Sequence, residues 1–276
     1  MSDFFEEVRK SVVLQSDQLS KYSLNTYLSH ISKIRQYRPQ LDCKEIDISF
    51  LKGYVEFMKE RKNKDGTIYR SLAVLRKFVN LLRKRKLIKT NPFEHFCLHR
   101  VRNRRDFLEI GELKMLYDSF LEKGDLLTYA ERESMRAFLF SCFTGLRYAD
   151  LKNLSTEDIK NGKIRKWTQK TGQMVYIPIP EQALQLIGKA ENGKILHVVN
   201  NSSFNKNLKS GAYKLGFKRS LHTHLARHTF ATSCISLGIP IDAVSKLLGH
   251  SALQTTLIYA NYVDATIDRV MSKFQI

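Results

Sequence analysis

The chain has 276 residues, of which 43% are hydrophobic, so it is long enough for two packed domains and is not a disordered tail. Lysine and arginine together number 46 against 27 acidic residues, which gives a net charge of +19 with neutral histidines. A balance this basic favours a polyanionic partner, most often nucleic acid.

Signals for a membrane or an oxidising compartment are missing from the sequence. The longest apolar stretch, residues 138–146, is far shorter than the ~20 residues that a membrane span needs, and the first residues lack the pattern of a signal peptide. The cysteines are scattered, form no Cys-x-x-Cys pair and indicate reduced, mostly buried thiols. We therefore expect a cytoplasmic protein with no membrane partner.

Residues 1–97 are predicted to form a helical domain. Hydrophobic side chains recur at helical spacing in four segments, at residues 3–14, 23–37, 48–62 and 67–85. The fourth helix is the longest, and we expect it to end before Asn91-Pro92.

Basic residues are concentrated between positions 59 and 105, where sixteen Lys or Arg face three acids. A single basic run is usually a solvated helix face. Here the basic residues continue from a helix through its exit into residues 98–106, which favours a surface that follows DNA phosphates. Apolar periodicity lapses over 98–106, so we predict a basic linker there and a second domain at 107–276.

The second domain is predicted to combine helices with a small β component. Helical spacing begins at residue 107 and continues over 131–143, after which Gly145 allows a left-handed turn and Arg147 enters the first turn of another helix. Alternating residues then predict a β-hairpin at 163–169 and 174–179, with Lys170 at its tip. Helices are expected at the end of this region, over residues 181–190 and 203–215.

Three short helices are predicted to follow. His224, Arg227 and His228 lie three and four residues apart and share one side of the first helix, which ends at Gly238. The second helix ends at residue 249, so that His250 emerges just past a helix end.

In the third of these helices we expect Leu253, Leu257 and Ala260 to form the buried stripe. Tyr259 would then lie to one side of the stripe and near the histidines. The arrangement indicates a phosphate-binding site that ends in a nucleophile.

Five sequence blocks carry a family resemblance. They occur in this order: Thr-Gly-Leu-Arg at 144–147, Thr-Gln-Lys-Thr at 168–171 with Ile-Pro at 177–178, His224-x-x-Arg227-His228, Leu-Gly-His at 248–250, and Tyr259. Together they resemble the tyrosine recombinases of the phage-integrase family, which include Xer-type enzymes, over roughly residues 25–262. The resemblance implies a mostly α fold with a small β component, an N-terminal helical core-binding (SAM-like) domain and a mixed α+β catalytic domain. The catalytic residues it implies are Arg147, Lys170, His224, Arg227, His250 and Tyr259.

The resemblance also implies a chemistry. Arg147 and Arg227 would grip the non-bridging oxygens of a DNA phosphodiester, and His250 would donate to the same oxygens. Tyr259 would attack with help from His224 and leave a 3′-phosphotyrosyl link, while Lys170 would protonate the leaving 5′ oxygen. No metal, ATP or small-molecule cofactor is expected, because the bond energy is kept in the ester. Asp150 is expected to fix Arg147 or a neighbour.

Two rival interpretations of single residues were weighed. His224 and His228 have the i, i+4 spacing of a zinc-protease helix, with His222 nearby, but that motif needs Glu where Leu225 stands. Arg227 would also repel a cation. Tyr262 lies three residues after Tyr259 and is the other candidate nucleophile, although the family spacing favours Tyr259.

We predict a site-specific DNA recombinase that clamps duplex DNA between its two domains. A type IB topoisomerase would share the chemistry, and a non-catalytic DNA-binding regulator would share the fold. An intact set of six residues argues against the regulator.

Residues after Tyr259 are expected to form a tail helix. Its apolar side chains recur at helical spacing, at Val263, Ile267, Val270, Met271 and Phe274. A helix this short is stable only when its apolar side is buried. The surface that buries it is either its own catalytic domain or, as the resemblance implies, a neighbouring protomer. The second arrangement predicts monomers in free solution and a tetramer on paired DNA sites.

Overall fold

The computed structural model describes residues 2–14, 19–97, 106–188, 190 and 193–260. The chain divides into two compact units, Met1–Arg104 and Arg105–Ile276. Most of the predicted basic linker, residues 98–105, and the predicted tail helix lie outside the described residues. The domain limits given above therefore stay a prediction.

Within the described residues, the first unit consists of helices packed around one hydrophobic core. Ser20 and Asp47 begin two of the helices by accepting hydrogen bonds from backbone N–H groups. Tyr54 Oη and Ser71 Oγ lie 2.6 Å apart inside the core and satisfy each other. The four α-helices are α1 (Phe4–Leu14), α2 (Lys21–Tyr37), α3 (Ile48–Glu60) and α4 (Asp65–Lys84).

Helix α4 has two different sides. One side buries Leu72, Leu75 and Val79 in the core. The other side carries exposed basic residues, including Arg76 and Lys84. The concentration of charge predicted from the sequence therefore lies, in this helix, on a solvent-facing surface.

The second unit combines helices with one small sheet. Its described α-helices are α5 (Ile110–Lys123), α6 (Tyr129–Thr144), α7 (Tyr148–Lys152), α8 (Glu181–Leu184), α9 (Asn201–Lys214), α10 (Thr223–Ser236), α11 (Ile241–Leu248) and α12 (Gln254–Ala260). Helix α6 is central, because it buries Phe138, Leu139 and Phe140 and packs against α9 and α10. The predicted fold class, mostly helical with a small β component, is confirmed.

The sheet has three antiparallel strands in the order β1 (Ile159–Lys160), β2 (Lys163–Trp167) and β3 (Met174–Pro178). Ile164 on β2 lies opposite Ile177 on β3, and both side chains are buried. Alternate residues on these strands face solvent, which is why the hairpin could be predicted from the period of the sequence.

Strand β1 and helix α8 differ in extent from the sequence-based expectation. Strand β1 was not predicted, because two residues are too few to show a period. The helix expected over 181–190 ends at Leu184. Gly188, which is unfavourable inside a helix, follows shortly after it.

Helix α12 is rotated relative to the prediction. Leu253 and Leu257, expected to be buried, are 42% and 43% exposed, whereas Thr256 and Tyr259 are buried. Hydrogen bonds account for the difference, since Thr256 and Tyr259 each contact a histidine ring and the buried phenol ring adds apolar area.

None of the helices within the described ranges is long and apolar enough to cross a membrane. The four cysteines are free thiols; Cys43, Cys142 and Cys234 are buried and Cys97 is exposed.

Candidate active site

Arg227 on α10 is buried, with 7% of the residue exposed. Its Nη1 donates to the carbonyl of Gly145 (2.7 Å) and its Nη2 to the carbonyl of Leu248 (2.6 Å). The side chain therefore joins the end of α6 to the end of α11. Burial, together with the positive charge of Arg147, lowers the pKa of Arg227 to about 9, which still leaves the guanidinium charged at neutral pH.

Arg147 follows a tight turn. Gly145 ends α6 with a φ of 68°, and a Cβ there would lie 2.4 Å from the Phe230 ring, so only glycine fits. Arg147 immediately precedes α7 rather than lying in its first turn. The residue is half-buried, and its buried Nη1 has no hydrogen-bond partner within the described residues. Two neighbouring guanidiniums with an unpaired nitrogen are suited to binding an anion.

Asp150 lies on α7 and is almost completely buried. Its Oδ1 accepts a hydrogen bond from the backbone N–H of Gln169 (2.9 Å), and its Oδ2 has no partner among the described residues. Burial lowers the pKa of Arg147, and the negative charge of Asp150 opposes that shift. Asp150 thus acts electrostatically on Arg147, but its hydrogen bond holds the hairpin, and its expected role of fixing Arg147 stays a prediction.

The hairpin tip is held on a second side. Thr171 Oγ1 lies 2.7 Å from Thr168 Oγ1 and donates to the carbonyl of Gly249 (3.0 Å) at the end of α11. Lys170 lies between these anchored residues, in the turn, and is exposed. The structure therefore ties the segment carrying Lys170 both to α7 and to the end of α11.

His250 follows a second left-handed glycine. Gly249 ends α11 with a φ of 60°, and a Cβ there would lie 2.7 Å from Val175 Cγ1. His250 Nδ1 lies 2.7 Å from Thr256 Oγ1, which orients the ring. The expected position of His250 just past a helix end is what the structure shows.

Tyr259 is 2% exposed and belongs to a cluster that includes Phe230 and Leu248. Its Oη lies 2.8 Å from Nδ1 of His228, and the two ring centroids are 5.5 Å apart. The charge of Tyr259 acts on the pKa values of both Arg147 and Arg227, so the phenol lies near the two guanidiniums. The alternative nucleophile, Tyr262, lies outside the described residues.

His224 lies one turn before His228 on α10 and is exposed. The two imidazole rings are stacked, with centroids 6.5 Å apart and an interplanar angle of 26°. The sequence-based hypothesis assigned proton removal to His224. The ring that the structure brings to hydrogen-bond distance of the phenol is that of His228.

The zinc interpretation finds no support in the described part of the chain, where no group of three or more His, Cys, Asp or Glu could hold a metal ion. His222 has a structural role instead, because its Nδ1 accepts a hydrogen bond from the backbone N–H of Leu225 and caps α10.

Comparison with known proteins identifies the family of the chain. Residues 119–265 match the model of the phage integrase family, and residues 1–100 match the phage integrase SAM-like domain. The chain belongs to the phage integrase family, the tyrosine recombinases. A tyrosine recombinase of Thermosipho africanus is 29% identical to this integrase-family chain over 92% of the chain and 96% of the relative.

Solved structures share the fold of this family member. A lambda integrase dimer bound to a COC′ core site has a TM-score of 0.76 at 18% identity, covering 93% of this chain and 95% of that one. A lambda integrase tetramer bound to a Holliday junction has a TM-score of 0.74 at 18% identity, covering 93% and 77%.

The structure therefore places the six predicted residues as follows. Arg147, Arg227 and Tyr259 are close enough to affect one another electrostatically. Lys170 is carried by a turn that is anchored beside His250, and His224 stacks on His228. Sequence reasoning gave no role to His228 and did not predict the hydrogen bond from Thr171 to Gly249. Both contacts join residues that are far apart in the sequence, and spacing within one element does not reveal them.

Proposed function

We propose that this recombinase cleaves and rejoins DNA strands at specific sites through a 3′-phosphotyrosyl intermediate, with Tyr259 as the nucleophile. The observation that carries the proposal is the phenol of Tyr259, buried within electrostatic range of Arg147 and Arg227. A phenol near two guanidiniums is suited to attack on an anionic diester, because the cations bind the phosphate and offset the charge gained in the transition state.

The remaining residues have separate roles in this proposal. Nη1 of Arg147, which has no hydrogen-bond partner in the described part of the chain, supports a donor role toward the phosphate. His250, oriented by Thr256, donates to the same phosphate oxygens. Lys170 protonates the 5′ oxygen as it leaves, and its anchored turn supports that role. His224 assists at the phosphate.

The partner is double-stranded DNA. The exposed basic side of α4 in the first unit supports contact with the phosphate backbone. Assembly is proposed to be a tetramer on paired sites, which the tetrameric lambda integrase on a Holliday junction supports by analogy. We also propose that the protein acts in the cytoplasm, where bacterial chromosomes and plasmids lie.

The relatives favour recombination over the two alternatives. The Thermosipho africanus relative is a tyrosine recombinase, and the solved structures are integrases. A type IB topoisomerase or a regulator that keeps only the fold is therefore not favoured.

The test uses a suicide duplex, which is a duplex from the DNA flanking the gene with a nick beside the scissile phosphate, so that the cleaved fragment diffuses away. We expect the native chain and Tyr262→Phe to form a covalent protein–DNA adduct that survives denaturation. Tyr259→Phe should form none, because it lacks the attacking oxygen.

Two outcomes would contradict the proposal. An adduct formed by Tyr259→Phe but not by Tyr262→Phe would move the nucleophile to Tyr262. EDTA should leave adduct formation unchanged, and its loss on chelation would reopen the metal interpretation.

A further inference from the structure

The nucleophile and a histidine without an assigned role are in direct contact. Tyr259 Oη on α12 lies 2.8 Å from His228 Nδ1 on α10, with the two rings inclined by 52°. The two residues are 31 positions apart in the sequence, so local chain geometry does not bring them together. The contact therefore reflects tertiary packing.

The orientation of α12 favours this contact over the burial of apolar side chains. Leu253 and Leu257 are each more than two-fifths exposed, while Thr256 and Tyr259 face inward. Burial of a leucine side chain is favourable, so a helix oriented only by Leu257 and by Leu253, which immediately precedes it, would rotate the other way. The orientation brings a histidine nitrogen to each of the two inward-facing hydroxyl groups.

We propose that His228 is a catalytic residue that accepts the phenolic proton of Tyr259 during strand cleavage, an inference that rests on the proposed function. In the tautomer with its proton on Nε2, His228 presents an unprotonated Nδ1 to the phenol. A neutral imidazole can accept a proton, and a phenol is a weak nucleophile until it loses its proton. A proton acceptor at Oη therefore activates the nucleophile, because the phenol must lose its proton to attack phosphorus.

Strand cleavage and rejoining move the same two protons in opposite directions. The proton moves from Tyr259 Oη to His228 Nδ1 as Oη forms a bond to phosphorus, and the bond from phosphorus to the 5′ oxygen breaks. Lys170 gives its proton to the departing 5′ oxygen. On rejoining, the 5′ hydroxyl attacks the phosphotyrosine, Lys170 takes the proton back, and imidazolium His228 returns its proton to the phenolate.

The charged surroundings favour this transfer. Arg147 and Arg227 lie within electrostatic range of Tyr259, and both stabilise a phenolate more than a phenol. Other nearby titratable groups among the described residues include Asp150, whose charge acts on both arginines, and His224, which stacks on His228 from the same helix. The thiol of Cys234 also shares a buried cluster with Tyr259.

The neighbouring histidines are placed for other tasks. His250 Nδ1 contacts Thr256 Oγ1, so its orientation is set by that hydroxyl. His224 is exposed and stacks on the ring of His228. Its exposure suits the proposed contact with the phosphate. His228 is the ring whose nitrogen the structure places against the reacting oxygen.

The experiment measures the single-turnover rate of adduct formation on the suicide duplex from pH 6 to pH 10. The variants are His228→Asn, which keeps an oxygen acceptor near the Nδ1 position but cannot take a proton, and His228→Ala. His197→Asn is the matched control, because His197 is an exposed histidine that also packs near a tyrosine ring, Tyr129, at 6.0 Å.

We expect His228→Asn to lose about 10²-fold or more in rate at pH 7, the usual size of a general-base contribution. The loss should shrink as the pH rises, because a phenol that has already ionised needs no proton acceptor. A substrate with sulfur at the leaving position should not restore the rate of His228→Asn. Sulfur leaves without a proton and so removes the need for the general acid, but the phenol still needs a proton acceptor. His197→Asn should match the native rate.

Four results would overturn the inference while the native chain still forms the adduct: a native rate in His228→Asn, a faster rate in either His228 variant, a deficit that is equal at every pH, or rescue by sulfur. A faster rate would mean that the contact restrains Tyr259, and an equal deficit would mean a structural role. If His228→Ala does not fold, His228→Asn decides. Failure of the native chain to form any adduct would instead refute the proposed function.

Discussion

Arg227 combines a structural and a chemical task in one side chain. Two of its N–H groups donate to backbone carbonyls among the described residues, and a guanidinium has five, so three are left to donate to a phosphate in the proposed role. Its planar fork fixes the directions in which those remaining groups point. The two hydrogen bonds that join α6 to α11 therefore also fix the orientation of the remaining N–H donors of Arg227.

Arg227→Lys should separate charge from geometry. Lysine keeps the positive charge but offers a single point of attachment, so we expect DNA binding to change by less than about tenfold and the adduct rate to fall by about 10²-fold or more. Gel shift and single-turnover adduct formation would measure the two effects. Arg132→Lys is the control, because Arg132 forms an exposed pair with Asp125 and should behave as the native chain does. A near-native rate in Arg227→Lys would refute the proposed role.

The sequence predicted which residue types meet at the site better than it predicted their orientation. The five motif blocks gave the candidate residues through their resemblance to the tyrosine recombinases, and helical spacing placed His224, Arg227 and His228 on one side of α10. The same rule failed for α12, where Leu253 and Leu257 formed the obvious stripe and Tyr259 is the residue that is buried. Which face turns inward depends on partners from distant helices, and His228 is 31 residues from Tyr259.

At the scale of elements, the hairpin is more than a carrier for Lys170. Asp150 holds the backbone N–H of Gln169, and Thr171 holds the end of α11, one residue before Lys170 and one residue after it. A lysine has four rotatable bonds, so anchoring its backbone limits the volume that its amine explores. The hairpin was predicted from its alternating residues, whereas these two anchors had no signal in the sequence.

Lys170→Ala should lose most of its adduct rate and recover it on a substrate with sulfur in place of the leaving 5′ oxygen. Sulfur leaves without a proton, so the general acid is no longer needed. Thr171→Val, which keeps the shape but removes the anchor to Gly249, should show a smaller loss that the same substrate also repairs. Arg227→Ala should not be rescued. Equal rescue of Lys170→Ala and Arg227→Ala, or of neither, would remove Lys170 from the role of general acid.

A carboxylate ties two helices of the second unit together. Glu131 on α6 accepts hydrogen bonds from Ser210 (2.6 Å) and Lys214 (2.7 Å) on α9. Burial raises the pKa of Glu131, but these hydrogen bonds and those from Thr128 outweigh it and lower the pKa to about 2. The folded-state pKa is below the unfolded value of 4.5, so this contribution to stability is complete above pH 4.5 and is lost as the pH falls toward 2.

Glu131→Gln should therefore reduce the free energy of unfolding at pH 7 by about 1–3 kcal/mol, since each unit of pKa shift corresponds to about 1.4 kcal/mol. The difference from the native chain should narrow between pH 4.5 and pH 3. Urea unfolding at several pH values would measure both effects. Glu157→Gln removes the same charge at an exposed position and should change stability by less than about 0.5 kcal/mol. A pH-independent deficit in Glu131→Gln would show that its carboxylate is not the cause.

At the scale of the whole molecule, the tail is proposed to join protomers on DNA. Truncation after Tyr262 should leave single-site DNA binding intact but abolish the complex that holds two duplexes, because the apolar stripe from Val263 to Phe274 would no longer reach a neighbour. Gel shift and sizing on paired sites would measure this, and Lys273→Ala, on the polar side of the same segment, should assemble normally. A two-duplex complex formed by the truncated chain would mean that the tail packs on its own domain.

The two backbone carbonyls bound by Arg227 have an electrostatic meaning. Gly145 and Leu248 stand at the C-termini of α6 and α11, and each helix C-terminus carries roughly half a negative charge from its macrodipole. Together they offset about one positive charge, so the buried guanidinium is compensated before any DNA arrives. A phosphate then meets a cation that is already in place. Removing that cation would leave two like-signed helix ends facing each other, so α6 and α11 depend on the same charge that is proposed to hold the DNA.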